Sequence, residues 1–303
     1  MSDLILHHFD ASPFAEKIRL VFGLKNLSWN SVELPMIMPK PDLTALTGGY
    51  RKTPVLQIGA EVYVDTALIA DELERRYTVP SLYPDGNKGM YKALAFWSNN
   101  SFFQPGAGLS MGVNDQVPDE VLDDRFSFFN FMDFDVLDDE IPYLYEQFLT
   151  HASFVESQLS DGRQYLFGDH VSWADVNAWF VFWMAYGNIP PIKQYFEKFT
   201  YAAAWEKRIA GYGYGERNEM PASEAHAISR SAEAKPGQGI ETLYQTFSEG
   251  QAVSVAAEDY GKDAVTGKLI TLNQEQITIN RDDKVAGNVN VHFPRAGFRV
   301  ATL

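Results

Sequence analysis

The order of short apolar runs and helix-period segments over positions 1–80 constrains the fold more than any other feature. Residues 4–6 are a short apolar run. Residues 13–22 place Phe14, Ile18 and Val21 at helical spacing before Gly23, and residues 29–34 read as a second strand. A short, irregular helix is expected over 41–46. Residues 54–58 and 62–64 read as strands joined at Gly59-Ala60, and residues 65–77 as a helix. The order is βαβ, then α, then ββα, which calls for one sheet covered by helices. His7 and His8 are adjacent, and on a sheet with one solvated face only one of them is expected to face the core.

At 303 residues the chain is too long for one domain of ordinary size. Helical periods return at 88–100, 121–132 and 138–159. The stretch HVSWADVNAWFVFWMAYG is apolar nearly all round, as a buried helix is, and opens with a capping box of Ser172 and Asp175. A last helix is expected over 201–209, closed by Gly211. Residues 221–239 are small and polar, with room for a thin helix over 223–234. Period-two alternation follows at Ile270/Leu272, Ile277/Ile279 and Val289/Val291/Phe293, separated by turn residues. The expected divisions are 1–80, an α/β domain; 86–215, an all-α domain; 216–250, a linker with a possible helix; and 251–303, a small all-β unit of four or five strands, able to cover an edge, pack on the helices or join a dimer interface.

The chain has no cysteine, which removes disulfides, protein thiolates and dithiol redox chemistry; sulfur chemistry beyond methionine must use a ligand's sulfur. The net charge is −15, and residues 115–140 hold ten acids against Arg125 alone. With no basic stripe, nucleic-acid binding is not expected. Phe126, Phe128, Phe129 and Phe131 in that tract read as core above a solvated acidic face, with the wall of a substrate pocket or a partner surface as the rival. Its carboxylates lack a ligand spacing, so no metal is expected. No apolar run approaches ~18 residues, so no membrane span is expected. The N-terminus does not read as a secretory signal, which makes the cytoplasm the expected compartment.

Three short motifs carry the candidate chemistry. Ser12 stands at an N-cap position with Pro13 at the first helical position, and capping alone explains that pair. In Lys-Thr-Pro-Val, residues 52–55, Pro54 belongs at a strand start, where a cis bond is allowed. Asp65-Thr66 opens the next helix. A carboxylate, a hydroxyl and helix-start N–H groups can hold a zwitterion, although Asp65 also suits plain capping.

Residues 1–80 resemble the thioredoxin-like N-terminal domain of glutathione S-transferases, through Ser-Pro-Phe at 12–14, Lys-Thr-Pro-Val at 52–55 and Asp-Thr at 65–66. The Ser-Trp-Ala-Asp box at 172–175 and YAAAWEKRIAG at 201–211 resemble parts of the family's all-helical C-terminal domain. The likeness runs over positions 1–215, and the chain is identified as a bacterial-type member with a C-terminal β extension. The resemblance implies glutathione as co-substrate, a small electrophile, a homodimer and a detoxification role. It places Ser12 at the glutathione sulfur. It assigns Phe14, Lys40, Lys52, Thr53, Pro54, Asp65 and Thr66 to the tripeptide: the Thr53 backbone to the cysteinyl part, Asp65 and Thr66 to the γ-glutamyl group, and Lys40 and Lys52 to the glycine carboxylate. For Lys40, Arg51 and Lys52 a solvated loop is the rival reading. Thr66 replaces the family's usual serine, and Thr53 its frequent valine. Serine in place of cysteine argues against reductase chemistry. A non-catalytic binding or regulatory module and a glutathione-dependent isomerase are the alternatives.

Overall fold

The computed structural model describes residues 4–244 and 246–303. In chain order the elements are β1 (Ile5–His8), α1 (Pro13–Leu24), β2 (Ser28–Glu33), α2 (Pro41–Thr47), β3 (Val55–Ile58), β4 (Glu61–Val64) and α3 (Thr66–Arg76). A helical run follows: α4 (Lys88–Trp97), α5 (Phe103–Gly112), α6 (Asp119–Phe128), α7 (Leu137–Leu159), α8 (Trp173–Asn188), α9 (Ile192–Phe196) and α10 (Thr200–Ala210). The chain ends with β5 (Glu216–Glu219), α11 (Ala222–Ser231), β6 (Gly239–Ile240), β7 (Ala252–Ala257), β8 (Val265–Leu272), β9 (Gln276–Asp283), β10 (Gly287–Pro294) and β11 (Phe298–Thr302). Two compact units result. One comprises Met1–Ile18, Asn26–Leu73 and Glu216–Leu303, the other Arg19–Lys25 and Glu74–Gly215.

In the first unit the thioredoxin-like strands and the appended ones form a single sheet in the order β11-β7-β8-β9-β10-β4-β3-β1-β2-β5, with β6 on β8. β4 would otherwise be an edge; instead β10 runs parallel to it, Val291 opposite Val62 and His292 opposite Tyr63. β5 likewise lies parallel to β2. Of the three roles open to the extension, edge-covering is the one the first unit displays. A buried polar cluster fastens that join. Glu61 accepts hydrogen bonds from His292 Nε2 (2.8 Å), Asn290 Nδ2 (3.1 Å) and the Lys235 backbone N–H (2.9 Å). His292 also stacks on Tyr63, with ring centroids 4.4 Å apart.

The appended strands curl. Three strands separate β10 from β11 in the sheet, about 19 Å if it were flat at ~4.8 Å per strand. Yet Phe293 on β10 and Phe298 on β11 lie 5.6 Å apart, and Tyr50 packs 6.2 Å from each. Leu43, Leu46, Tyr50, Val62 and Val64 share one core with Val253, Val255, Leu269, Ile277, Ile279, Val291 and Phe293. Full burial of each such aliphatic chain is worth about 1.5–3 kcal/mol, so the extension is integral to this unit's stability.

Segment 216–250 is more structured than its composition suggests. Ala225 of α11 packs with Ile5 and Val32, and the Gln57 amide donates to the Ala225 carbonyl at 2.8 Å. β1 is therefore covered on both faces, which corrects the expectation for its histidines. His7 and His8 are both fully buried, the first on Gln57 Oε1 (2.8 Å), the second on Ser31 Oγ (3.0 Å).

The second unit is helical. α8 carries a complete capping box between Ser172 and Asp175. Buried Asp175 also accepts from the Leu166 N–H and Trp205 Nε1, both at 2.9 Å, tying α10 and the preceding loop to α8. Burial pushes this carboxyl above its usual range, opposed by those donors. α1 runs one residue past Gly23 rather than ending there. That glycine serves close approach: a Cβ would stand 1.9 Å from the Gly213 carbonyl oxygen. No helix among the described residues is long and apolar enough to cross a membrane.

Candidate active site

Strand register brings the three motifs to one end of the sheet. β1 and β3 are antiparallel with His7 opposite Val55, so the end of β1, which leads to Ser12, meets the start of β3, just after Pro54. β3 and β4 are antiparallel with Val55 opposite Val64, which places Asp65 and Thr66 at the same end. Segments well separated in the chain thus converge without any local signal for it.

Ser12 is buried, and its Oγ accepts the Ala15 backbone N–H at 3.2 Å. The capping role is therefore real. It uses the oxygen as acceptor and leaves the hydroxyl proton for donation. A donor at a helix N-terminus is the setting in which a nearby thiolate is stabilised.

Thr53 precedes β3, and Thr53–Pro54 is a cis peptide. Among the described residues neither the N–H nor the C=O of Thr53 makes a hydrogen bond, so an extended ligand could pair there as an added strand would. Asp65 sits in the left-handed region at φ 70°, uncommon for a non-glycine residue. Its Oδ1 accepts the Ala67 N–H at 2.8 Å, and its carbonyl accepts Ile69 N–H. Thr66 is buried at the first turn of α3.

Lys40 and Lys52 are not simply solvated. Lys40 is buried, donates to the Arg51 carbonyl at 3.3 Å, and lies 5.2 Å from the Phe9 ring centroid. Lys52 is paired with Asp259 at 2.5 Å. The loop bearing Arg51 and Lys52 is held from below by the appended strands. Arg281 on β9 donates to the Ala45 and Leu46 carbonyls (2.5 and 3.3 Å) at the end of α2. Gly48 follows at φ 80°, where a Cβ would be 2.7 Å from Arg281 Nε. Thr47 Oγ1 donates to the carbonyls of Leu43 and Tyr50, both at 3.0 Å.

Sequence reasoning missed three groups here. Lys17 is fully buried on α1, with its Nζ 4.5 Å from the Phe14 ring centroid. Burial lowers its pKa to about 7, opposed by the charge of Asp65. Its only signal was a lysine three positions beyond Phe14 on the face that also carries Val21. Tyr50 is buried at the loop's root. Burial raises its hydroxyl pKa well above the ordinary value, and Asp65, Asp259 and Tyr260 raise it further. Asp259 lies 207 residues from Lys52, and nothing local marks it.

A sheet of thioredoxin-like strand order is followed in the chain by a helical run, and a helix-start hydroxyl, a proline loop and an acid-hydroxyl pair meet at one end of that sheet, the class of fold found in two-domain thioredoxin-like proteins. Residues 6–81 match the family model described as glutathione S-transferase, N-terminal domain, and residues 119–210 that described as glutathione S-transferase, C-terminal domain. A crystal structure of a GST-like protein from Pseudomonas syringae is 37% identical, covers 100% of both chains and has a TM-score of 0.82. The chain belongs to the glutathione S-transferase family. A glutathione S-transferase from Rhodospirillum rubrum F11 is similar over 68% of this chain and 87% of its own, at 20% identity and TM-score 0.53. A theta-class glutathione S-transferase from Xanthomonas axonopodis pv. citri, with glutathione bound, is similar over 71% and 97%, at 19% identity and TM-score 0.53. Those two shorter matches share the fold, while the Pseudomonas protein matches through the appended strands as well. A search of curated proteins finds no match.

Proposed function

We propose that the protein is a glutathione transferase that joins the thiol sulfur of glutathione to an electrophilic small molecule, acting in the cytoplasm as a homodimer in detoxification. The unpaired Thr53 backbone carries this reading, because it lies at the sheet end where Ser12, Asp65 and Thr66 also converge. The Ser12 hydroxyl donates to the thiolate. With the partial positive charge at the start of α1, it lowers a thiol pKa from its ordinary value of about 8.5. Thr53 pairs with the cysteinyl part, Pro54 shapes that loop, and Phe14 borders it. Asp65 and Thr66 hold the γ-glutamyl zwitterion, Asp65 taking the ammonium, while Lys40 and Lys52 face the glycyl end. The sulfur lone pair forms the new bond to carbon as the electrophile's leaving group departs with its electron pair.

The test is turnover of glutathione with 1-chloro-2,4-dinitrobenzene by the wild type and Ser12→Ala. A loss of about ten-fold or more in kcat/KM, equivalent to about 1.4 kcal/mol, is expected. Full retention of turnover removes Ser12 from the mechanism. Glutathione binding without turnover of any electrophile assigns the fold to a binding module instead.

A further inference from the structure

The loop between β7 and β8 reaches the lysine that faces the glycyl end. Asp259 Oδ1 lies 2.5 Å from Lys52 Nζ, and the Tyr260 ring centroid lies 4.2 Å from the same ammonium. The ammonium is the more enclosed partner: the Lys52 side chain is 12% exposed, that of Asp259 48%. Both sides of this contact are anchored to one core. Asp259 follows β7, where Ala257 pairs with Phe298 and the Glu258 N–H donates to the Gly297 carbonyl at 3.0 Å. Phe298 in turn packs on Tyr50, two positions before Lys52. The charges of Asp65 and Asp259 both act on the Tyr50 hydroxyl, so the second carboxylate is felt within the site itself.

Free glutathione brings a carboxylate at its glycyl end. At Lys52 that anion must either displace Asp259 or stand beside it as a second anion on one ammonium. Like charges placed together disfavour binding, and such repulsive elements are how sites discriminate between ligands. A glycyl amide or ester brings no anion and leaves the Lys52–Asp259 pair intact. We propose that Asp259 is a specificity-determining residue of this site, disfavouring a free glycyl carboxylate and favouring thiol tripeptides whose glycyl end is neutral. The assignment rests on the tripeptide reading of the site. It gives the appended strands a direct part in ligand choice.

Calorimetric titration of the full-length protein with reduced glutathione and with its glycyl monoethyl ester tests this. The wild type binds the ester at least as tightly as the acid. Asp259→Asn, which keeps shape and removes charge, tightens binding of the acid about five-fold and changes the ester by less than about two-fold. The gain disappears in Lys52→Gln/Asp259→Asn, since it acts through that ammonium. Asp259→Ala repeats the effect, and near-ultraviolet circular dichroism confirms native packing of each variant. An acid-to-ester ratio unchanged by Asp259→Asn overturns the proposal while leaving the tripeptide site standing, as does a wild type that prefers the acid about five-fold. Failure of both ligands to bind the folded wild type and both Asp259 variants overturns the tripeptide reading and this proposal together.

Discussion

His7 offers the most direct test of how the first unit is put together. The Gln57 amide donates to the Gly59 and Ala225 carbonyls, so its oxygen accepts from His7, and the proton sits on His7 Nε2. Among the described residues His7 Nδ1 has no partner. A second proton there would bury a charge and strand a donor. Burial, with His226 nearby as a smaller cause, lowers the pKa from 6.5 to about 4 despite the Gln57 hydrogen bond. Below 6.5 the unfolded chain takes up a proton that the folded one refuses. Stability from this group is therefore complete above that pH, falls as pH drops, and is gone below about 4. The window is worth about 3 kcal/mol at 1.36 kcal/mol per pH unit. Urea unfolding of the wild type and His7→Gln at pH ~7 and ~4.5 isolates it as a double difference: the wild type loses about 2–3 kcal/mol more than the variant. Proton NMR checks the same group directly, since the sequence has only six histidines and His7→Gln identifies the signal. A His7 resonance titrating near the ordinary histidine value of ~6.5 refutes the buried, two-faced β1.

Three further outcomes follow from contacts that the sequence did not reveal. Arg281→Ala removes two charge-assisted hydrogen bonds to the end of α2 and lowers stability by about 2 kcal/mol; by loosening the loop before Pro54, it raises KM for glutathione more than it lowers kcat. Asp175→Ala strips acceptors from the Ser172 and Leu166 N–H groups and from Trp205, costing about 3 kcal/mol or more in thermal or urea unfolding. For Glu61, burial would raise the carboxyl, but His292, the Lys235 N–H and Asn290 bring it below 4.5; its contribution is present above that value and lost as pH falls beneath it, so melting curves of the wild type and Glu61→Gln converge in acid.

The elements from β1 to α3 were legible because their periods are clean and their breaks carry Gly, Pro or a cap. The Ser172–Asp175 box was legible for the same local reason, and so was Ser12 as a cap. The join of β10 to β4 was not. Alternation at Val289, Val291 and Phe293 shows that a strand has a buried face, but says nothing of which strand lies beside it. Nor could composition show that the polar stretch around α11 covers β1. A few small side chains, Ala222 and Ala225 among them, suffice where backbones approach closely. Of the proposed site, the sequence offered only the residues that family motifs carry. Asp259, Tyr260 and Arg281 act through pairings with partners remote in the chain, and Lys17 looks like any other helix lysine.

The first unit is discontinuous: strands Val55–Ile58 and Glu61–Val64 belong with β10, which is made near the end of the chain, while the intervening helices form a unit of their own. On the ribosome, at about 5–20 residues per second, β4 waits on the order of 10–50 seconds for its neighbour. During that interval Val62, Val64 and Leu43 lack most of the side chains that will enclose them, and the nascent segment offers an unpaired edge to any passing strand. Gly287–Pro294 must be made before this unit can close, so a chain halted short of that strand is a client for chaperones rather than a folded protein with one part missing.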